Sequence, residues 1–230
     1  MNLLEKERWI GEASLALEEQ TALDVLQAAV EQFPRLVLAC SFGAEDLVLV
    51  DLLHRVKPDA DVFYLDTGLH FAETYETRDR LEQHYAKTLL QVLPRVTLAE
   101  QAELYGEELW SSDPNTCCQL RKVNPLSDIL SRYEAWITGI RRDQAPTRAN
   151  ARKVEYDSKF GLVKFNPLAD WSSDKVWDYI REHDLPYNRL HDRDYPSIGC
   201  EKCTRPVRNG EDPRAGRWSG FEKTECGLHK

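Results

Sequence analysis

Arg35-Leu-Val-Leu-Ala-Cys40, followed by Ser41-Phe42-Gly43 and then Ala44-Glu45-Asp46, decides the fold. The first six residues form a short apolar run of the kind that fills a buried strand. Ser41 to Gly43 break the run, and the chain from about Ala44 to Val56 reads as a helix, so the stretch predicts strand, tight turn, helix. Such a turn directs backbone N–H groups and a helix N-terminus to one side, which favours a phosphate or sulfate. Small residues after a strand also make ordinary turns, so this loop alone decides no function.

Working outward, residues 2–32 read as two helices. The second opens at Thr21 with Asp24 three residues on and carries Leu23, Leu26, Val30 and Phe33 at helical spacing. Asp61-Val-Phe-Tyr-Leu-Asp66 is a further strand, ending in Asp66-Thr67-Gly68 and followed by a helix through Glu73 to Tyr85. Thr88 to Leu93 and Glu134 to Ile140 repeat the pattern. Strands alternating with helices predict an α/β fold with a doubly wound, mostly parallel sheet. Ligands of such sheets lie beyond the carboxyl ends of the strands, so Ser41 to Asp46, Asp66 to His70 and Gly139 to Arg148 are expected at one crevice.

After Asn150 come short strands, Arg152 to Tyr156 and Leu162 to Phe165, and a helix near Ser173 to His183. Beyond Leu185, Pro186, Pro196, Pro206 and Pro213 punctuate a loop-rich tail. No linker separates independent domains. The expectation is one domain over 1–230, with N-terminal helices to about 34, an α/β core over about 35–184 and a tail over about 185–230.

The chain has 230 residues, 42% of them hydrophobic, enough for a substantial core. Its net charge of −9 argues against a general affinity for nucleic acid or anionic lipid. The N-terminal stretch has no leader-like apolar run, and no segment is long enough to span a membrane. A cytoplasmic protein is expected, with reduced cysteines that serve metals or catalysis. Gly139-Ile-Arg141-Arg142-Asp-Gln-Ala-Pro-Thr-Arg148 gathers guanidinium groups whose repulsion a bound polyanion would relieve, although Arg142 could instead pair with Asp143.

The cysteines are the stronger signal. Cys117-Cys118 and Cys200-x-x-Cys203 supply two close pairs able to hold one thiolate-ligated centre, and spacing leaves iron–sulfur and zinc both open. Cys226 stands apart in Glu-Cys-Gly-Leu-His-Lys, downstream of Arg205, Arg208, Arg214, Arg217 and Lys223 and three residues before His229. Cations favour thiolate and attract an anionic electrophile, so Cys226 reads as a nucleophile. Cys40, in an apolar strand, reads as an inert buried thiol.

Taken in order, Ser-Phe-Gly-Ala-Glu-Asp, Tyr-Leu-Asp-Thr-Gly-Leu-His-Phe-Ala-Glu-Thr-Tyr, Cys-Cys, Gly-Ile-Arg-Arg-Asp-Gln, Cys-x-x-Cys and Glu-Cys-Gly-Leu-His resemble the assimilatory adenylyl-sulfate reductases, from about residue 35 onward. The resemblance implies a fold like the adenine-nucleotide α-hydrolases and a [4Fe–4S] cluster on Cys117, Cys118, Cys200 and Cys203. It implies attack by Cys226 on the sulfur of adenosine 5′-phosphosulfate, release of AMP, and discharge of the S-sulfocysteine by reduced thioredoxin or a glutaredoxin-like donor to give sulfite for cysteine biosynthesis. By the same resemblance Lys122, Arg214, Arg217 and His229 surround the sulfate. Ser41, Phe42, Gly43, Leu65, Asp66, Gly139, Arg141 and Arg148 then hold the nucleotide. Ser41-Phe42-Gly43 matches the form of the cluster-free reductases, whereas plant-type reductases place Ser directly before Gly, so 3′-phosphoadenylyl sulfate stays open as a second substrate. Two rivals are an ATP pyrophosphatase, whose Ser-Gly-Gly-x-Asp-Ser loop is missing here, and a zinc-stabilised nucleotide-binding module.

Overall fold

A computed structural model describes residues 3–223 and 225–228. In chain order its main elements are α1 (Leu3–Ala16), α2 (Ala22–Gln32), β1 (Leu36–Ala39), α3 (Ala44–Val56), β2 (Asp61–Leu65), α4 (Ala72–Tyr85), β3 (Leu90–Val92), α5 (Leu98–Tyr105), α6 (Leu109–Ser112), α7 (Pro114–Cys118), a π-helical turn (Gln119–Val123), α8 (Asn124–Leu130), β4 (Ala135–Ile137), β5 (Val154–Asp157), β6 (Leu162–Phe165) and α9 (Ser173–Glu182). The sheet runs β3-β2-β1-β4-β6-β5. Strand β1 is parallel to β2 and β4, β4 is parallel to β6, and β5 runs antiparallel to β6. The expected α/β fold with a mostly parallel sheet is what the chain adopts.

The chain gathers into two compact units, each built from two separated stretches. They do not follow the expected divisions at 34 and 184. The first comprises 1–63 and 130–187, and the second comprises 64–129 and 188–230.

In the first unit, β1 pairs Leu38 with Val62 of β2 on one side and with Ile137 of β4 on the other. Val37, Leu38, Ala135, Ile137, Val163 and Phe165 are fully buried, as strands covered on both faces require. The order turns back between β1 and β4, so this is the switch point, and the segments after the two strands share it. Helix α2 starts as a capping box, with Thr21 and Asp24 each satisfying the other's backbone N–H, a device worth about 1 kcal/mol. Its buried face is Ala22, Val25, Leu26 and Ala29. Leu23, expected inside, is 40% exposed. Trp9 packs edge-on against Phe33 and Phe165, with ring centroids 5.0 and 6.1 Å away.

In the second unit the C-terminal segment lies along α4 and the residues before it. Buried Asn188 donates to Thr74 Oγ1 (3.1 Å), Glu201 N–H donates to Leu69 O (2.8 Å), and His70 forms an antiparallel bridge with Cys200. Short 3₁₀ turns at Arg189–Arg193 and Glu201–Cys203 give local order to a stretch expected to be loop. Helix α7 begins at Pro114, with Asp113 accepting from the N–H groups of Asn115 and Thr116 (3.1 Å each), and runs into the π-helical turn. This wider turn fixes the directions of Arg121 and Lys122, and π-bulges of this kind concentrate at functional sites.

Candidate active site

In the first unit the loop after β1 is tightly determined. Phe42 has φ 62° with its side chain buried, an uncommon left-handed backbone for a bulky residue that the surrounding contacts must hold. Ser41 N–H and Oγ both donate to Asp46 Oδ2, at 2.6 Å each, so the serine expected to meet a phosphate is committed to the first turn of α3. Burial pushes Asp46 up to about 6, against the pull of Ser41 and Arg148. Gly139, past the end of β4, lies directly over this turn, where an added Cβ would overlap Asp46 Oδ1 and come within 2.9 Å of Glu45 Cβ.

The arginines after Gly139 are satisfied by the protein itself. Arg141, buried, donates to Glu45 Oε1 (2.8 Å) and Trp171 O (3.2 Å) and pairs with Asp143. Arg142 pairs with Glu18 and donates to Ala151 O (2.8 Å). Arg148, half-buried, donates to Gln144 Oε1 (2.6 Å). Distant Glu45 and Glu18, with the nearby Asp143, therefore answer the charges of Arg141 and Arg142, so this pair requires no polyanion. The structure brings Ser41 to Asp46 together with Gly139 and Arg141. Asp66 to His70, expected at the same crevice, belongs to the second unit.

There, Asp66 is buried and accepts from Gly68 N–H (2.9 Å), Tyr75 Oη (2.7 Å) and Gln91 Nε2 (2.7 Å), so its oxygens already have internal donors. Although burial works the other way, those hydrogen bonds hold its carboxyl below the ordinary value. Leu65 O accepts from His70 Nε2 (2.9 Å), and burial lowers His70 below the usual imidazole value.

The cysteines gather in the second unit. Cys117 and Cys118 end α7, Cys200 sits at the bridge with His70, and Cys203 closes the 3₁₀ turn; all are free thiols. Cys117, Cys200 and Cys203 pack with Leu69, Leu98, Leu109, Trp110 and Leu120. Burial, then the neighbouring thiols, push Cys117 up to about 12, and the same causes push Cys203 up to about 11. Burial raises Cys118 as well, against Lys122 and Lys223. Four soft donors crowded in an apolar pocket need central positive charge to become thiolates, so the donor set fits a thiolate-ligated metal centre. Among the described residues, no three His, Cys, Asp or Glu side chains converge on a single ion, a convergence that a polynuclear centre does not need.

Arg121 and Lys122 leave the π-helical turn in different directions. Arg121, buried, donates to Thr67 O (2.5 Å) and Gln101 Oε1 (3.0 Å), and Thr67 Oγ1 stands 3.4 Å from Cys200 Sγ. Burial works against the charge of Lys122, yet Cys200, Cys226 and Cys118 together hold it above the ordinary lysine value. Cys226 is half-buried. Beside it, buried Glu225 pairs with Arg214 (3.2 Å), while Lys223 donates to Asn115 Oδ1 (2.6 Å). Arg217 stacks on Trp218, 4.5 Å from the ring centroid, and its buried Nε has no hydrogen-bond partner among the described residues. Neither Lys122 nor Arg217 has a carboxylate partner among those residues. His229 lies outside the described residues. Arg121 escaped the sequence reading although it is the neighbour of Lys122, whereas Thr67 and His70 lie within a stretch expected to meet the ligand.

A family profile for the phosphoadenosine phosphosulfate reductase domain matches residues 35–206. The chain belongs to the phosphoadenosine phosphosulfate reductase family. A relative in Halalkalibacterium halodurans named adenosine 5′-phosphosulfate reductase is 53% identical over 223 residues, 96% of each chain. One in Bacillus subtilis named adenosine 5′-phosphosulfate reductase 2 is 53% identical over 90% of this chain and 89% of its own. The crystal structure of a phosphoadenylyl-sulfate reductase from Candida auris, a phosphate complex, superposes with TM-score 0.77 at 32% identity, covering 85% of this chain and 96% of that one. The resemblance read from the motifs is borne out, as is the fold it implied.

Proposed function

We propose that this family member reduces adenosine 5′-phosphosulfate to sulfite and AMP in sulfate assimilation, with Cys226 as nucleophile. The Cys226 thiolate attacks the sulfonyl sulfur, the bond from sulfur to the bridging phosphate oxygen breaks, and AMP leaves with that electron pair. Cys226 is left carrying the sulfonate. A dithiol reductant of the thioredoxin or glutaredoxin type then attacks Cys226 Sγ and releases sulfite, and its second thiol frees the enzyme as the reductant closes to a disulfide, so that two electrons pass to sulfur. The observation that carries this reading is Lys122, an ammonium without a carboxylate partner among the described residues whose charge Cys200, Cys226 and Cys118 all favour. Fixed cations at that position stabilise charge passing onto the sulfonyl oxygens and the leaving phosphate.

Cys117, Cys118, Cys200 and Cys203 would hold a [4Fe–4S] cluster. When bound, it supplies positive charge that keeps the four sulfurs as thiolates and fixes the field around Lys122, with no change of oxidation state required. The same reading assigns Arg214, Arg217 and His229 to binding the sulfonate. In the first unit it gives the nucleotide to Ser41, Phe42, Gly43, Gly139, Arg141 and Arg148, through backbone groups where the side chains are already committed. Relatives at 53% identity bear the name of the adenosine 5′-phosphosulfate enzyme, against 32% for the phosphoadenylyl-sulfate enzyme, which favours the substrate without the 3′-phosphate. The reduced thiols fit a cytoplasmic setting. The test is Cys226→Ser in anaerobically purified protein, which should retain iron and nucleotide binding while sulfite release disappears. Retained sulfite release would overturn the proposal.

A further inference from the structure

We infer that Gly199 is the positioning residue for Arg217, an assignment that rests on the reading of Arg217 as a sulfonate-binding group. Arg217 lies along the backbone of residues 197–199, its Nη1 donating to Ser197 Oγ and Ile198 O, both at 3.2 Å. Its other face lies on the Trp218 indole, 4.5 Å from the ring centroid. A Cβ on Gly199 would overlap the guanidinium, meeting Nη2, coming within 2.6 Å of Cζ and reaching 3.0 Å from Nε. Gly199 does not have positive φ, so its missing side chain serves the neighbour rather than its own backbone.

The Trp218 side of the guanidinium is held in place by the protein. The indole behind the guanidinium is itself buried, and Trp218 has φ 47° while its N–H donates to Cys203 O (3.0 Å). The ring cannot retreat without disturbing a left-handed backbone and the turn that carries Cys203. Any side chain at 199 therefore moves the guanidinium, and with it a cation that has no carboxylate to hold it elsewhere among the described residues. A guanidinium shifted by even part of an ångström loses the directional bonds it makes to an oxyanion. AMP lacks the sulfonate that Arg217 is read to bind, so its affinity is expected not to depend on the slot between Gly199 and Trp218.

Gly199→Ala, prepared anaerobically with its iron, should raise KM for adenosine 5′-phosphosulfate about tenfold or more while leaving the Kd for AMP within about twofold. In an Arg217→Ala background the same change should add no further loss. An unchanged KM in Gly199→Ala, a parallel loss of AMP affinity, or fully additive effects would overturn the assignment. If Gly199→Ala fails to hold iron, Gly199→Ala/Arg217→Ala decides: recovery of iron supports steric conflict with the guanidinium, and continued failure assigns the glycine to the cysteine loop instead. An Arg217→Ala enzyme with unchanged KM would instead sink the sulfonate reading of Arg217 itself.

Discussion

At the scale of single residues, buried charge governs behaviour. Asp46 is held near pH 6 by burial, above an ordinary carboxylate. Between about pH 4 and pH 6 the folded state therefore binds more protons than the unfolded one, and stability from this group falls as pH rises through that window. Asp46→Asn removes the dependence. Relative to wild type, its unfolding free energy in urea titrations should improve by up to about 3 kcal/mol between about pH 4 and pH 7, and an unchanged difference would contradict the burial account. Gly139→Ala tests the same turn from the other side. Its Cβ would overlap Asp46 Oδ1, and a loss of about 1–3 kcal/mol in chemical denaturation is expected, since the turn has no room to give.

At the scale of elements, the π-helical turn matters most. It aims Arg121 at Thr67 and Gln101 and places Lys122 in the field of the thiols from one pair of adjacent residues. Deleting Gln119 should convert it to α-helix and turn Lys122 by about 100° relative to Cys118. Sulfite release should fall about a hundredfold or more while first-unit secondary structure persists by circular dichroism; normal turnover would show that the turn has no positioning role.

The sequence displayed the elements that local pattern controls. Helix α3 keeps the bounds read from the apolar spacing, β6 runs from Leu162 to Phe165 as expected, and the Thr21 cap is present. The buried face of α2 was less legible, because Ala22 and Ala29 pack as well as any leucine where the neighbouring helix comes close, leaving Leu23 outside. Local patterns also could not show which carboxylates answer the arginines. Glu45 and Glu18 lie 96 and 124 residues from Arg141 and Arg142, so only tertiary structure joins them. The cysteine grouping was readable from spacing, whereas the link from Arg121 through Thr67 to Cys200 depends on a turn type that no residue pattern announces.

At the scale of the whole molecule, each unit has its own source of order. The first rests on a buried parallel sheet and the aromatic packing of Trp9, Phe33 and Phe165. The second gathers four free cysteines, three of them buried, where a metal centre would contribute folding energy. Removing iron by chelation should therefore raise amide hydrogen exchange in 64–129 and 188–228 by about tenfold or more, with little change in 3–63 and 130–187. Uniform loosening, or none, would contradict that division.

In the proposed reaction one cysteine carries the transferred group while four others hold the metal. Incubating the iron-loaded, anaerobic protein with adenosine 5′-phosphosulfate and no reductant, then mapping its mass by peptide, tests this most directly. One added sulfonate is expected, on the peptide containing Cys226, with the iron content unchanged. An unmodified Cys226 with intact substrate, or a sulfonate on any of the other four thiols, would contradict it.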